Sequence, residues 1–167
     1  ARLGERFERT GADGMVTLAV PVSVRVDGDT RANALDGATI RIDPMGVVDD
    51  LTGLRAATKA ALVAVAEQSH DLAAALPLTP LMPSVAVRRA EPLAMGASAL
   101  PVGCSNYGNL PAAVVRLDGR DSNDFWVRLI EPGQGPADLD RIGGQLYVLS
   151  GRALGNVFLC CAGFDQT

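Results

Sequence analysis

The sequence predicts an α/β fold in which a mixed β-sheet forms one layer and helices form the other, a two-layer sandwich. Three observations predict it. One long stretch, residues 47–76, repeats its apolar residues at threes and fours; several short runs alternate or are apolar throughout; and glycines and prolines separate these stretches. With 167 residues the chain supports a single core of ordinary size, so one domain spanning 1–167 is expected.

Residues 1–10 carry Leu3 and Phe7 at helical spacing among charges and read as the last turns of an amphipathic helix stopped by Gly11 and Gly14. From Met15 to Val26 the pattern alternates, with Val20, Val22, Val24 and Val26 on one face, the period of a half-buried strand. Pro21 must then sit at an edge, bulge or break. Asp27-Gly28-Asp29-Thr30 is a turn, and Asn33 to Asp43 a second strand ended by Pro44. Val47, Leu51, Leu54, Leu62, Val65, Leu72 and Leu76 place one apolar stripe on a long helix, with Asp49 and Asp50 near its positive end. Pro77, Pro80 and Pro83 break it, and residues 84–98 read as a short helix and connection.

Beyond that point the runs Leu100–Ser105, Ala112–Leu117, Phe125–Ile130, Gly144–Leu149 and Asn156–Ala162 read as strands. Ser150 to Gly155 reads as a hairpin connection. The last run is apolar on both faces, which predicts a central strand.

Composition narrows function. A net charge of −4 excludes a basic face for nucleic acid, and no polybasic run addresses a membrane. Hydrophobic residues make up 48% of the chain, and the mean hydropathy of +0.18 is high for an isolated domain, which predicts that part of the surface is covered by other polypeptide. Lys59 is the only lysine beside many arginines, the imprint of a GC-rich, bacterial genome. Three cysteines, Cys104, Cys160 and Cys161, cannot all pair within the chain and read as small buried hydrophobes, which suits a reducing cytoplasm. The chain opens without an initiator Met in what reads as mid-helix, so a fragment of a longer protein is expected.

Two motifs about eighty positions apart carry the functional signal: Pro21-Val22-Ser23-Val24-Arg25, and Cys104-Ser105-Asn106-Tyr107-Gly108-Asn109-Leu110-Pro111. The first resembles the Pro-Val-Ser-x-Arg signature, and the second the Ser-Asn-x-x-x-x-Pro turn, in the C-terminal lobe of the CoA-dependent acyltransferase superfamily. That superfamily includes wax ester synthase/diacylglycerol acyltransferases and peptide-synthetase condensation domains. Arg31-Ala32-Asn33-Ala34-Leu35 is similar to the segment that follows the arginine strand in those enzymes. Their His-His-x-x-x-Asp-Gly motif is absent from this sequence.

The resemblance implies a chloramphenicol acetyltransferase-like half: a C-terminal lobe whose partner is an N-terminal lobe of the same protein, bearing the general-base histidine. It implies acyl transfer, long-chain and in lipid metabolism, from acyl-CoA as cosubstrate to a hydroxyl acceptor, with no other cofactor. Arg25 would buttress the catalytic loop through a salt bridge to the missing aspartate; Ser105, Asn106, Tyr107 and Asn33 would line the substrate channel. The second motif departs from the wax ester synthase form, which leaves the acceptor type open. On the residues alone Arg25 could instead leave the strand into solvent or pair with Asp27, and the Ser105–Asn109 turn could be a plain hairpin. The location expected is cytoplasmic, with room for peripheral lipid association.

The remaining polar residues offer little chemistry. His70, the sole histidine, sits in Ser69-His70-Asp71, and consecutive helix residues do not face one another, so this run is no triad. Cys104 has no second histidine to activate it. Neither the glycine pairs near 133–144 nor Asp138-Leu139-Asp140 fits a phosphate or calcium loop, and no cysteine/histidine spacing suits zinc, so no metal is expected. The rival reading is a non-catalytic binding or assembly module that keeps the acyltransferase architecture. A free-standing hydrolase using Cys104 or Ser105 is the third.

Overall fold

The computed structural model describes residues 7–31, 34–68, 81–83, 85–86, 100–122, 125–127, 135–141 and 143–164. The fold is α/β, as the patterning predicts. A five-stranded mixed sheet runs in the order β2-β1-β3-β6-β7, from β1 (Val16–Ser23), β2 (Leu35–Ile42), β3 (Val102–Asn109), β6 (Gln145–Ala153) and β7 (Asn156–Phe164). The helices are α1 (Thr52–Gln68), α2 (Ala112–Val115) and α3 (Pro136–Arg141), and β4 (Arg116–Leu117) with β5 (Arg120–Asp121) makes a separate small ribbon. Among the described residues no helix is long and apolar enough to cross a membrane.

Strands β1, β3 and β6 are parallel neighbours, and the antiparallel β2 and β7 close the two flanks. Alternation puts Val16, Leu18, Val102, Cys104, Leu146 and Val148 on one face, where Val16, Val102 and Leu146 form the core and Phe7 and Ile42 pack against it. On the opposite face Leu149 and Cys160 are buried, and the Phe125 ring stacks on Phe158 with centroids 4.8 Å apart. Residues 7–10 are a turn rather than the expected helix end, with Thr10 bridging to Val16. The fully buried Arg9 donates from its guanidinium to the Gly143 carbonyl at 3.1 Å, so this turn is tied to the far end of the chain.

Pro21 is tolerated by register. Val24 N–H donates to the Ala34 carbonyl, which makes the even-numbered positions of β1 the ones bonded to β2. An N–H at position 21 would point the other way, toward β3, whose pairing with β1 has already ended at Ala19↔Gly103.

The long helix differs from expectation in extent and in face. It begins at Thr52, whose N–H donates 2.8 Å to the Asp50 carboxylate, after a separate 3-10 turn at Gly46–Val48. Its expected last part lies outside the described residues. The half-buried positions are Leu54, Ala57, Thr58, Ala61, Ala64 and Val65, while Leu51, Leu62 and Val63 remain exposed. Small side chains let α1 approach β2, where Ala38 and Ile40 are buried.

Three further expectations are corrected. Of the expected strand Ala112–Leu117 only Arg116–Leu117 is strand: Pro111, with φ −66°, starts a helical turn over Ala112–Val115 in which Val114 N–H bonds the Pro111 carbonyl. Phe125–Val127 is irregular, the rest of that expected strand lying outside the described residues. The last strand is not central. Among the described residues β7 is the edge of the sheet, and Val157 and Leu159 are apolar residues that face outward.

Candidate functional site

The chain runs from β1 to β2 on one side and returns to β3 on the other, so the order of strands reverses at β1/β3. In open α/β sheets such a reversal leaves a crevice beyond the carboxyl ends of the strands, because the connections leave in opposite directions. Both sequence motifs end there. Ser23 closes β1 just before Arg25, and Asn106 to Asn109 close β3. Described pairing between these strands covers only Leu18↔Val102 and Ala19↔Gly103, and Pro21 has no N–H with which to carry the ladder further.

Arg25 is exposed. It donates to two backbone carbonyls, Asp29 at 2.9 Å and Arg31 at 2.8 Å. The bidentate Asp29–Arg31 pair reinforces the same loop, with Arg31 Nη2 at 2.6 Å from the carboxylate. Arg25 thereby holds the 27–31 turn in a fixed shape at the end of β1. Asn33 and His70 both lie outside the described residues.

Hydrogen bonds from the Arg31 side chain and then the Arg31 backbone N–H lower the Asp29 carboxyl from 3.8 to about 2. A depressed carboxyl pKa stabilises the folded loop above the ordinary value, and that contribution is lost as pH falls through the folded one. The loop is therefore expected to hold at pH 4 and above and to release toward pH 2. An NMR titration of Asp29 should give a midpoint near the lower value; a midpoint at the ordinary aspartate value would contradict the pairing.

Ser105, Asn106 and Tyr107 lie within β3, not after it. Opposite β6 the register slips, Asn106 facing Ser150 and Asn109 facing Arg152, so three steps on β3 match two on β6. This is a β-bulge. The extra residue is accommodated by Gly108 at φ +64°, and the Asn106 side-chain oxygen accepts the Gly108 N–H at 2.8 Å. The bulge turns Tyr107, half exposed at 49%, and Asn106 outward at the carboxyl end of the sheet. Ser105 stays half-buried, its carbonyl accepting the Ser150 hydroxyl at 3.4 Å.

Sequence reasoning missed the contribution of β6. Ser150, Gly151 and Arg152 belong to the strand, and the connection is only Leu154-Gly155. Gly151 is required because the Phe158 ring lies over it, a Cβ there meeting ring carbons at 2.7 Å. Arg152 reaches the same end of the sheet, its carbonyl accepting the Leu110 N–H at 2.8 Å. No alternation marked it: Leu146 to Leu149 are apolar in a row, and Ser150 and Gly151 read as turn residues.

Cys104 packs against the core, and burial first, then neighbouring Cys161, pushes its thiol up from the ordinary value, away from the thiolate a nucleophile needs. Cys160 is buried as expected, but Cys161 is exposed.

The chain matches no protein-family model, no curated protein and no solved structure in the comparisons made.

Proposed function

We propose that this chain is the C-terminal lobe of a CoA-dependent acyltransferase that passes an acyl group, long-chain in this reading, from acyl-CoA to an alcohol. The observation that carries the reading is the placement of the two motifs at the carboxyl ends of adjacent parallel strands whose described pairing ends at Ala19 and Gly103. The strand-order reversal at such ends is where a flat acyl thioester would be held.

In this mechanism a histidine on the other lobe takes the acceptor hydroxyl's proton. The alkoxide attacks the thioester carbonyl, the tetrahedral oxyanion collapses, and the CoA sulfur leaves and takes up a proton. This lobe supplies the opposite wall. Asn106 and Tyr107, turned outward by the bulge, offer hydrogen bonds to the pantetheine arm or the acceptor. Arg25 fixes the loop beside them and, in the two-lobed protein, braces the catalytic loop.

The test is acyl transfer by the full-length protein with short-, medium- and long-chain acyl-CoA and alcohol acceptors, read as thiol release and ester formation. Arg25→Ala is expected to lower turnover at least about tenfold, since a misplaced reacting group costs that much or more, with the thermal unfolding midpoint little changed. Failure of the wild type to transfer any acyl group would reject the proposal. Unchanged turnover in Arg25→Ala would reject the role of that residue alone.

A further inference from the structure

We propose that β7 pairs edge to edge with β7 of a second copy of this chain, antiparallel about Cys160, extending the sheet across a two-fold axis. This inference is independent of the acyl-transfer reading.

It begins with the hydrogen-bonding edge. The β6–β7 hairpin closes through Leu154-Gly155, both at positive φ (+51° and +82°), the two-residue turn that makes Ala153/Asn156 a hydrogen-bonded pair. Even-numbered residues of β7 therefore bond β6, and Val157, Leu159, Cys161 and Gly163 direct N–H and C=O outward. No described strand meets that edge.

Sheet edges in soluble proteins are ordinarily guarded by charge, proline or a covering element. The opposite edge, β2, has all but proline: Asp36, Arg41 and the packed helix α1. By contrast, Asn156–Phe164 contains neither a charged residue nor a proline, while Val157 is 71% and Leu159 66% exposed. A lipid surface would cover the side chains but leave the backbone groups unsatisfied, whereas a strand satisfies both.

The sequence of β7 favours its own copy as that strand. Antiparallel pairing about Cys160 sets Val157 opposite Gly163, Phe158 opposite Ala162 and Leu159 opposite Cys161. In these three pairs a larger residue meets a smaller one, the outward-bonding residues pair with one another, and no like charges oppose. The same register brings Phe164 of the second copy beside Asn156, on the face that carries Phe158. There a cavity of about 280 Å³, lined by Ser122, Phe125, Trp126, Leu154, Asn156 and Phe158, gives its ring a seat. Trp126, 83% exposed in the single chain, would form the wall of that seat.

Sedimentation equilibrium of the full chain, from low to high micromolar, tests this together with amide hydrogen exchange. We expect a concentration-dependent dimer in which the Val157, Leu159 and Cys161 amides exchange slowly. Leu159→Lys and Trp126→Ala should each raise the dimer Kd at least about tenfold. Cys161→Lys, at another exposed position, gives the same reading should Leu159→Lys misfold by circular dichroism. A chain that stays monomeric throughout, a dimer indifferent to these lysines, a dimer whose three amides still exchange fast, or a monomer that uses this patch only to bind lipid vesicles would each overturn the proposal.

Discussion

Replacing Gly144 with alanine should destabilise the fold by at least about 3 kcal/mol, from two additive causes. Gly143 and Gly144 sit at φ +75° and +76°, consecutive left-handed residues that end α3, with Gly144 N–H donating to the Leu139 carbonyl at 2.8 Å. An L side chain at such a φ costs about 1–2 kcal/mol by itself. The larger share comes from space. A Cβ on Gly144 would overlap the Phe164 carbonyl oxygen, which is backbone and cannot rotate aside, and would press on the Arg9 guanidinium at 3.4 Å. Gly155→Ala separates the causes, because that residue is also left-handed, at φ +82°, but has open space around it. It should lose only the conformational part, about 1 kcal/mol. Urea unfolding of the two variants measures the difference, and equal losses would show that the Phe164 contact is not decisive.

Leu146→Ala is expected to cost about 2–5 kcal/mol, toward the upper end of that range. Leu146 is 3% exposed and centres the core with Val16 and Val102. The neighbours that would have to move into the vacated space, Phe7, Leu18, Ile42, Cys104 and Val148 among them, are held by four different strands and the N-terminal turn. The strands are fixed by their ladders, so the cavity stays open and the lost dispersion contacts are not regained. Val26→Ala, at a position 70% exposed, should change stability by no more than about 0.5 kcal/mol. The check is a shifted denaturation midpoint at unchanged slope for Leu146→Ala. A shift as small as that of Val26→Ala would mean that the core lies elsewhere.

Local periodicity made the first two strands legible, because residues 16–23 and 35–42 alternate, and in the second the alternation matches burial of one face. It also placed the long helix, but the leucines drew attention away from Ala57, Ala61 and Ala64, which are the ones at the sheet. Hydrophobicity shows that a residue could be buried, not that it is, and for the same reason Val157 and Leu159 made an edge strand look central. Pro111 and Gly108 each act through one backbone angle, so the helical turn after β3 and the bulge within it were hidden inside apolar or polar runs that scan as plain strand and plain turn. The candidate site was visible as two motifs. What no stretch of sequence carried was their adjacency at neighbouring strand ends, since the Ala19↔Gly103 pairing joins residues far apart in the chain.

That short pairing has a mechanical consequence. Two residue pairs stitch β2–β1 to β3–β6–β7, whereas β1–β2 and β6–β7 are laddered along their whole lengths. The joint between the two ladders therefore rests on side-chain packing more than on backbone hydrogen bonds: Val16 and Leu18 on one side meet Val102, Cys104 and Leu146 on the other, so loosening that contact would separate the halves before either ladder opened.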